Sequence, residues 1–385
     1  MLPLLREISN NLDHYIINNS KPNEEIDLKV LMGKFSMDAI ASCAFGVDSG
    51  SFKDQTSESE FVRNAKKIFE SFMGPISNGQ KVLAGFTPAL IKQLISKCGL
   101  KNFVSWPYLK EGSFFLSVVE SSISQRKQTK IKRNDLVDLM IDATEDKIRL
   151  PGGDNEKGRN KTQTMTTERS EGKTKNIHYD DIISTATALL LTGYDTTGST
   201  MSYILYELAL NQDCQETLFE EIETAKNASE LGYDTLQSLP YLDAVVHETL
   251  RRHPIAPCLE RVCLKDYKLP NTNLVLKKGD LIRLNNIGIS SDPEVFPDPE
   301  RWNPENFSKE SRSQRSPYTF MGFSLGPRNC IAKRFAMLEM KVAVSYFVSA
   351  FKILPSDKTN RNVEVDPRSF LGSAKGGLWV KLERR

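Results

Sequence analysis

Apolar residues recur at three- and four-residue intervals through the first 150 positions, where two-residue alternation is hard to find. That spacing predicts helices over 4–18, 27–46, 59–73, 108–128 and 134–145. In the second of these, Leu28, Leu31, Phe35, Ile40, Ala44 and Phe45 share a near-helical spacing, and Gly46 is placed to stop it. An apolar stretch at 80–97 is broken by Gly85 and Pro88. Residues 151–177 differ: Pro151-Gly152-Gly153 opens a run of Lys, Glu, Thr, Gly and Asn with almost no large apolar side chains. Such a run cannot bury enough surface to order itself, so a flexible, solvated surface loop is expected.

The most distinctive segment is 179–210. Apolar residues cover most of its circumference, the mark of a helix buried on nearly all sides. Its 32 residues, at about 1.5 Å each, would reach roughly 48 Å, the width of the whole molecule. Beyond it the pattern predicts an amphipathic helix over 212–226, a turn through Gly232, and a helix over 240–253 stopped by Pro254. From 259 to 285 the periodicity changes to short alternating strands, with turns at Pro270-Asn271 and Lys278-Gly279-Asp280. A Gly- and Pro-bearing loop at 320–330 feeds a last long helix at 331–347, and 363–382 reads as strand and turn. The predicted class is mainly α with a smaller β region. One domain over 1–385 is expected, with a helix-rich part at 1–253 and a part at 254–385 that holds the strands, the loop and the last helix.

Composition adds exclusions. Lys+Arg 51 against Asp+Glu 49 leaves a net charge of +2, too little for a field that holds nucleic acid. Six cysteines without repeated CxxC spacing make neither a disulfide framework nor a zinc site; Cys258 and Cys263 have no histidine cluster beside them. No apolar run approaches the roughly 18–20 residues that cross a bilayer, and Met1–Glu7 lacks signal-peptide character, so the chain as written reads as soluble. The basic run Arg126, Lys127, Lys130, Lys132 and Arg133 is expected to be a solvated helix end.

Three motifs carry chemistry. In Phe323-Ser324-Leu325-Gly326-Pro327-Arg328-Asn329-Cys330-Ile331-Ala332 a loop delivers one cysteine to the start of a helix, whose N–H groups favour a thiolate. Ala332 and Ala336, small and four apart, would let something flat approach, and an axial thiolate bond to haem iron accounts for the set. In Glu248-Thr249-Leu250-Arg251 the two charges share a helix face, and Arg301, in Pro299-Glu300-Arg301-Trp302, is placed to complete a Glu–Arg–Arg cluster. In Thr192-Gly193-Tyr194-Asp195-Thr196-Thr197-Gly198 the hydroxyls at Thr196, Thr197 and Thr200 can bond back and open the long helix locally, which makes either a kink for packing or a groove for a small ligand and a water.

In this order and spacing the three motifs resemble the cytochrome P450 family of haem-thiolate monooxygenases over nearly the whole chain. Leu259-Glu260-Arg261-Val262-Cys263, Pro327-Arg328-Asn329-Cys330 and Trp302-Asn303-Pro304-Glu305-Asn306-Phe307 look like its microsomal animal branch, which handles drugs, steroids and plant toxins. The resemblance implies that fold without its N-terminal portion, with haem (iron protoporphyrin IX) as cofactor. Cys330 would be the proximal iron ligand. Arg261 and Arg328 match positions that pair with haem propionates, and Phe323 and Ala332 lie in the haem-binding loop. Glu248, Arg251 and Arg301 would be structural. Asp195 and Thr196 match an acid–alcohol pair that relays protons to bound dioxygen. Leu189, Leu190, Gly193, Ile255, Ala256, Phe370 and Leu371 match regions that line the substrate pocket.

Implied partners are a small lipophilic substrate, O2, NADPH–cytochrome P450 reductase and cytochrome b5. The implied location is the cytosolic face of the endoplasmic reticulum membrane, with membrane association for the full-length form. The chain departs from the pattern at Ser324, where the family prefers glycine and where a positive φ would cost energy, and at Thr192 and Ala332. The largest departure is that nothing matches the N-terminal helices, so weak haem retention is expected. Two rival readings follow: a truncated chain acting only as a non-enzymatic fragment, and a haem enzyme that rearranges peroxides. Asp195-Thr196 argues against the latter.

Overall fold

The computed structural model describes residues 1–19, 24–53, 59–73, 109–144, 179–366 and 371–385. The apolar stretch at 80–97, the polar run at 151–177 and Phe370 lie outside the described residues.

Helices form where the apolar spacing places them. α1 spans Leu2–Asn19, α2 Leu28–Ile40 and α3 Glu60–Met73. Two more follow at Leu109–Thr129 and Leu136–Thr144. Asp27 caps α2 by accepting from the Lys29 N–H. After Ile40 the helix widens into a π turn, Ala41–Phe45, and Gly46 ends it at φ +66°. That conformation favours glycine, and a Cβ there would also stand 2.5 Å from Arg126 Nη2. Arg126 corrects the expectation of a wholly solvated basic run. It is buried and held by Asp135 at 2.6 Å and Asp138 at 2.9 Å, which offset its desolvation, while Lys132 pairs with Asp142 at the surface.

The long helix runs unbroken over Tyr179–Leu210. Its back lies against α2 at a contact only small residues permit: a Cβ on Gly198 would sit 3.2 Å from Met32 O and 3.3 Å from Gly33 Cα. Ser202 Oγ donates across the same seam to Leu28 O at 3.1 Å. Helices Gln212–Ala228 and Pro240–Arg252 follow, the second opening on Pro240 at its first turn and closing at His253 before Pro254. The final helix, Lys333–Ala350, starts two residues later than the apolar pattern suggests, because Cys330–Ala332 turns before the first helical residue and Ala332 offers no side-chain cap.

Strands are short. β1 (Glu25–Asp27) pairs antiparallel with β7 (Trp379–Arg384), which pairs with β6 (Phe351–Pro355), so both ends of the chain share one sheet. β2 (Cys258–Val262) and β5 (Leu281–Asn285) form an antiparallel ribbon with Glu260 opposite Arg283, ion-paired at 2.6 Å. β3 (Tyr267–Lys268) pairs with β4 (Val275–Leu276). The main core joins α1, α2, the long helix and the final helix; a second cluster gathers Phe45, Phe61, Phe115 and Leu190 beside it. The long and final helices thus stand back to back on one core, which fixes the loop before the final helix relative to the long helix's middle.

Candidate haem-thiolate site

The loop that carries Cys330 is built from turns. Ser324 N–H donates to Met321 O at 2.9 Å, Asn329 N–H to Gly326 O at 3.1 Å, and Cys330 N–H back to Phe323 O at 2.9 Å. Gly326 lies at φ +77° and Ser324 at φ +58°. The serine therefore holds the left-handed conformation that glycine takes more readily, as its place in the motif suggested. Its hydroxyl has a compensating use: it accepts from Arg261 Nη2 at 2.9 Å, tying β2 to the loop. Ser324→Ala keeps the strain and loses that bond, and destabilises the fold by about 1 kcal/mol. Ser324→Gly sheds both, so its urea midpoint lies above that of the alanine variant; the reverse order would deny any strain at this residue.

Cys330 is a free, exposed thiol, and Ile331 beside it is 87% exposed, the most of any large apolar side chain among the described residues. Ala332 is half-buried, Ala336 is buried behind it, and Phe323 is half-buried with Lys333 Nζ 5.5 Å from its ring centre. Arg328 is exposed, and Arg261 is half-buried. An open sulfur, an uncovered isoleucine, small residues at the helix start and two nearby guanidinium groups suit a flat apolar disc that needs one axial sulfur and carries carboxylates. The donor set fits haem.

Behind this loop lies the Glu248–Arg251 pair, 0% and 1% exposed at the side chains. Arg251 Nε donates to Glu248 Oε2 and Nη2 to Oε1, both at 2.8 Å. Nη1 donates to Ser290 O and Pro299 O at 2.9 Å, and Nη2 also to Arg301 O at 3.1 Å. All five N–H hydrogens of the guanidinium thus have acceptors. Glu248 Oε1 further accepts from Asn303 N–H at 2.8 Å and from Asn306 Nδ2 at 3.1 Å. This corrects the expected role of Arg301: its side chain is exposed, and it joins only through its main-chain carbonyl. The third side chain of the cluster, beside Glu248 and Arg251, is Asn306. Trp302, also missed, is buried and donates from Nε1 to Thr249 Oγ1 at 3.1 Å.

On the long helix the hydroxyls do bond back, Thr192 Oγ1 to Ala188 O at 2.8 Å, Thr196 Oγ1 to Thr192 O at 2.7 Å and Thr200 Oγ1 to Thr196 O at 2.9 Å, without breaking the helix. Thr192 is exposed and Thr196 half-buried, whereas Thr197 and Thr200 are buried. Burial pushes the half-buried Asp195 carboxyl above its ordinary range, with Lys29 pulling partly back.

Two expected pocket residues are corrected. Gly193 faces α2, since a Cβ there would meet Ile40 Cγ1 at 3.0 Å, and Leu190 is fully buried in the second cluster. Leu189 and Leu371 are half-buried, Ile255 is buried in the main core, and Ala256 is exposed.

The sequence matches the model of the cytochrome P450 family over residues 1–379. The chain belongs to the cytochrome P450 family. Similar proteins include probable cytochrome P450 6a13 of Drosophila melanogaster, 35% identical over 361 residues, which are 93% of this chain and 66% of that one. Cytochrome P450 6k1 of Blattella germanica is 33% identical, covering 98% of this chain and 69% of its own length. Cytochrome P450 6B7 of Helicoverpa armigera is 31% identical, covering 100% and 71%. This P450 chain spans about two thirds of the length of the curated relatives it matches. Cytochromes P450 depend on haem, which agrees with the donor set around Cys330.

Proposed function

We propose that this cytochrome P450 chain belongs to a monooxygenase that inserts one atom of O2 into a small lipophilic substrate of xenobiotic, steroid or fatty-acid type. Electrons would come from NADPH through cytochrome P450 reductase, with cytochrome b5 as a second donor, at the cytosolic face of the endoplasmic reticulum membrane. Among the described residues no helix is long and apolar enough to cross a membrane, so the membrane association rests on resemblance. The observation that carries the reading is the free, exposed sulfur of Cys330 at the foot of the final helix, on a loop held by its own turns and by Arg261.

Haem, when bound there, would supply the oxidising chemistry, and the Cys330 thiolate would lend it electron density. The chain's own residues do the rest. Cys330 would hold the iron. Arg261 and Arg328 would take the propionates. Asp195, its carboxyl raised by burial, holds a proton more readily than an exposed aspartate does, which suits a proton donor. Thr196 must swing its hydroxyl away from Thr192 O to pass a proton on, a small motion on an uncovered face. Leu189, Leu371 and Ala256 would touch substrate.

The test is spectroscopic. The chain, expressed and titrated with haemin, then reduced and exposed to carbon monoxide, should show the red-shifted Soret band of a thiolate-ligated carbonyl. Cys330→Ala should abolish it. A band that survives in the alanine variant would mean another ligand holds the iron.

A further inference from the structure

Three segments that meet around the proposed pocket are joined at one tyrosine that no motif singled out. Tyr203 lies on the long helix two turns beyond Thr196 and is 2% exposed. Its ring lies flat on the imidazole of His253, with centroids 4.2 Å apart and planes 6° from parallel. His253 closes the helix Pro240–Arg252 and leads directly into Pro254-Ile255-Ala256. Its Nε2 is 2.6 Å from Oε1 of Glu207, one turn along the long helix from Tyr203, and Glu207 also accepts from Asn211 Nδ2 at 3.3 Å. The stacked ring therefore has a fixed seat.

From that seat the Tyr203 hydroxyl donates to Gly372 O at 2.9 Å, in a buried hydrogen bond. Gly372 sits at φ +63°, and a Cβ on it would stand 3.2 Å from Pro254 O. The turn is thus pressed on the backbone that begins the 254–256 segment, and a phenol from the long helix holds its carbonyl. Burial keeps the Tyr203 phenol protonated far above its ordinary range, so it stays a donor.

We infer that Tyr203 is a positioning residue for the turn Leu371-Gly372, and that its hydroxyl sets how far Leu371 stands from Ala256 and hence how bulky a ligand the site admits. The inference rests on the proposed function for the role of Leu371 and Ala256. It does not require Tyr203 to touch substrate.

Tyr203→Phe tests it, because the phenyl ring keeps the stack on His253 and only the hydroxyl is lost. The first readout needs no cofactor: backbone amide hydrogen exchange of the chain. Loss of one buried hydrogen bond should speed exchange over 371–378 by roughly fivefold or more while 204–210 is unchanged. The second is Soret titration of the haem-loaded protein with two iron-binding probes, imidazole and 4-phenylimidazole. Imidazole affinity should stay the same, whereas 4-phenylimidazole affinity should shift at least threefold. That selectivity is something a merely structural role would not move.

Unchanged exchange over 371–378, or equal acceleration over 204–210, overturns the anchoring. Local acceleration with both probe affinities unchanged overturns the effect on ligand size. If neither probe shifts the Soret band of the unsubstituted protein, the proposed function itself has failed, and the exchange result alone then decides whether Tyr203 holds the turn.

Discussion

Glu248→Ala should lower the folding stability by about 3–5 kcal/mol, enough to leave little of a typical domain's margin. The reason is the guanidinium left behind. Arg251 is 1% exposed at its side chain, and two of its hydrogens lie on the Glu248 carboxylate at 2.8 Å. Without that carboxylate a buried cation keeps three carbonyls and the Phe296 ring but no counter-charge, and Asn303 N–H and Asn306 Nδ2 lose an acceptor at the same stroke. Arg251→Met should cost a comparable amount, by stranding the carboxylate. The double variant Glu248→Leu with Arg251→Met should cost less than the two single changes summed, since removing both charges leaves neither one orphaned. Urea midpoints of the four proteins measure this. Single variants within about 1 kcal/mol of the parent would show that the pair is not what holds the segment before the Cys330 loop. Arg301→Ala is the control: its exposed side chain takes no part in the cluster, which uses the main-chain carbonyl, so the midpoint should change by no more than about 0.5 kcal/mol.

Glu339→Gln should make the protein more stable at neutral pH. Glu339 is 0% exposed on the final helix, and neither carboxyl oxygen has a hydrogen-bond partner among the described residues. Ser36, the hydroxyl in electrostatic reach, donates to Gly193 O at 3.1 Å instead. Burial therefore pushes the carboxyl from 4.5 up to about 8, and the native state holds it neutral. The sign follows from linkage. Above pH 4.5 the unfolded chain releases this proton and the folded chain keeps it until about pH 8, so stability falls as pH rises through that window. At pH 7 the accumulated loss is about 3 kcal/mol. The glutamine variant is free of it, so the difference between the two stability–pH curves should grow from near zero at acid pH and level off at alkaline pH. His247 runs the other way: burial lowers it to about 4 against an ordinary 6.5, so its contribution is lost as pH falls through that interval. His247 is common to both proteins and cancels in the difference. Parallel curves would mean that Glu339 is ionised in the fold.

The family was legible because its motifs are local. A cysteine closing a Gly-Pro-Arg-Asn turn, and a glutamate three residues before an arginine on one helix, can be read from neighbours in the chain. Long-range choices were not. Pro299-Glu300-Arg301 and Pro304-Glu305-Asn306 are near repeats five positions apart, and charge makes Arg301 the attractive partner for Glu248. The path of the intervening turn decides otherwise and brings Asn306 to the carboxylate. The same holds for the long helix. Its apolar residues run almost all round, so periodicity announces burial but cannot say which face meets α2 and which stays open. Leu190 and Gly193 look like pocket residues in the sequence, and both belong to packing. Tyr203 gave no signal at all, because its meaning lies in His253 and Gly372, 50 and 169 positions away.

The contact between Gly33 and Gly198 has a bearing on how such a chain could diversify. Where two helix backbones touch with no side chain between them, the spacing is already at its minimum and can change only outward. A methyl added at Gly198, on that hidden seam, would lever the long helix away from α2 and carry Thr196, on its uncovered side, along with it. The dimensions of the reactive face are therefore set partly from the rear, at positions that no ligand would ever meet.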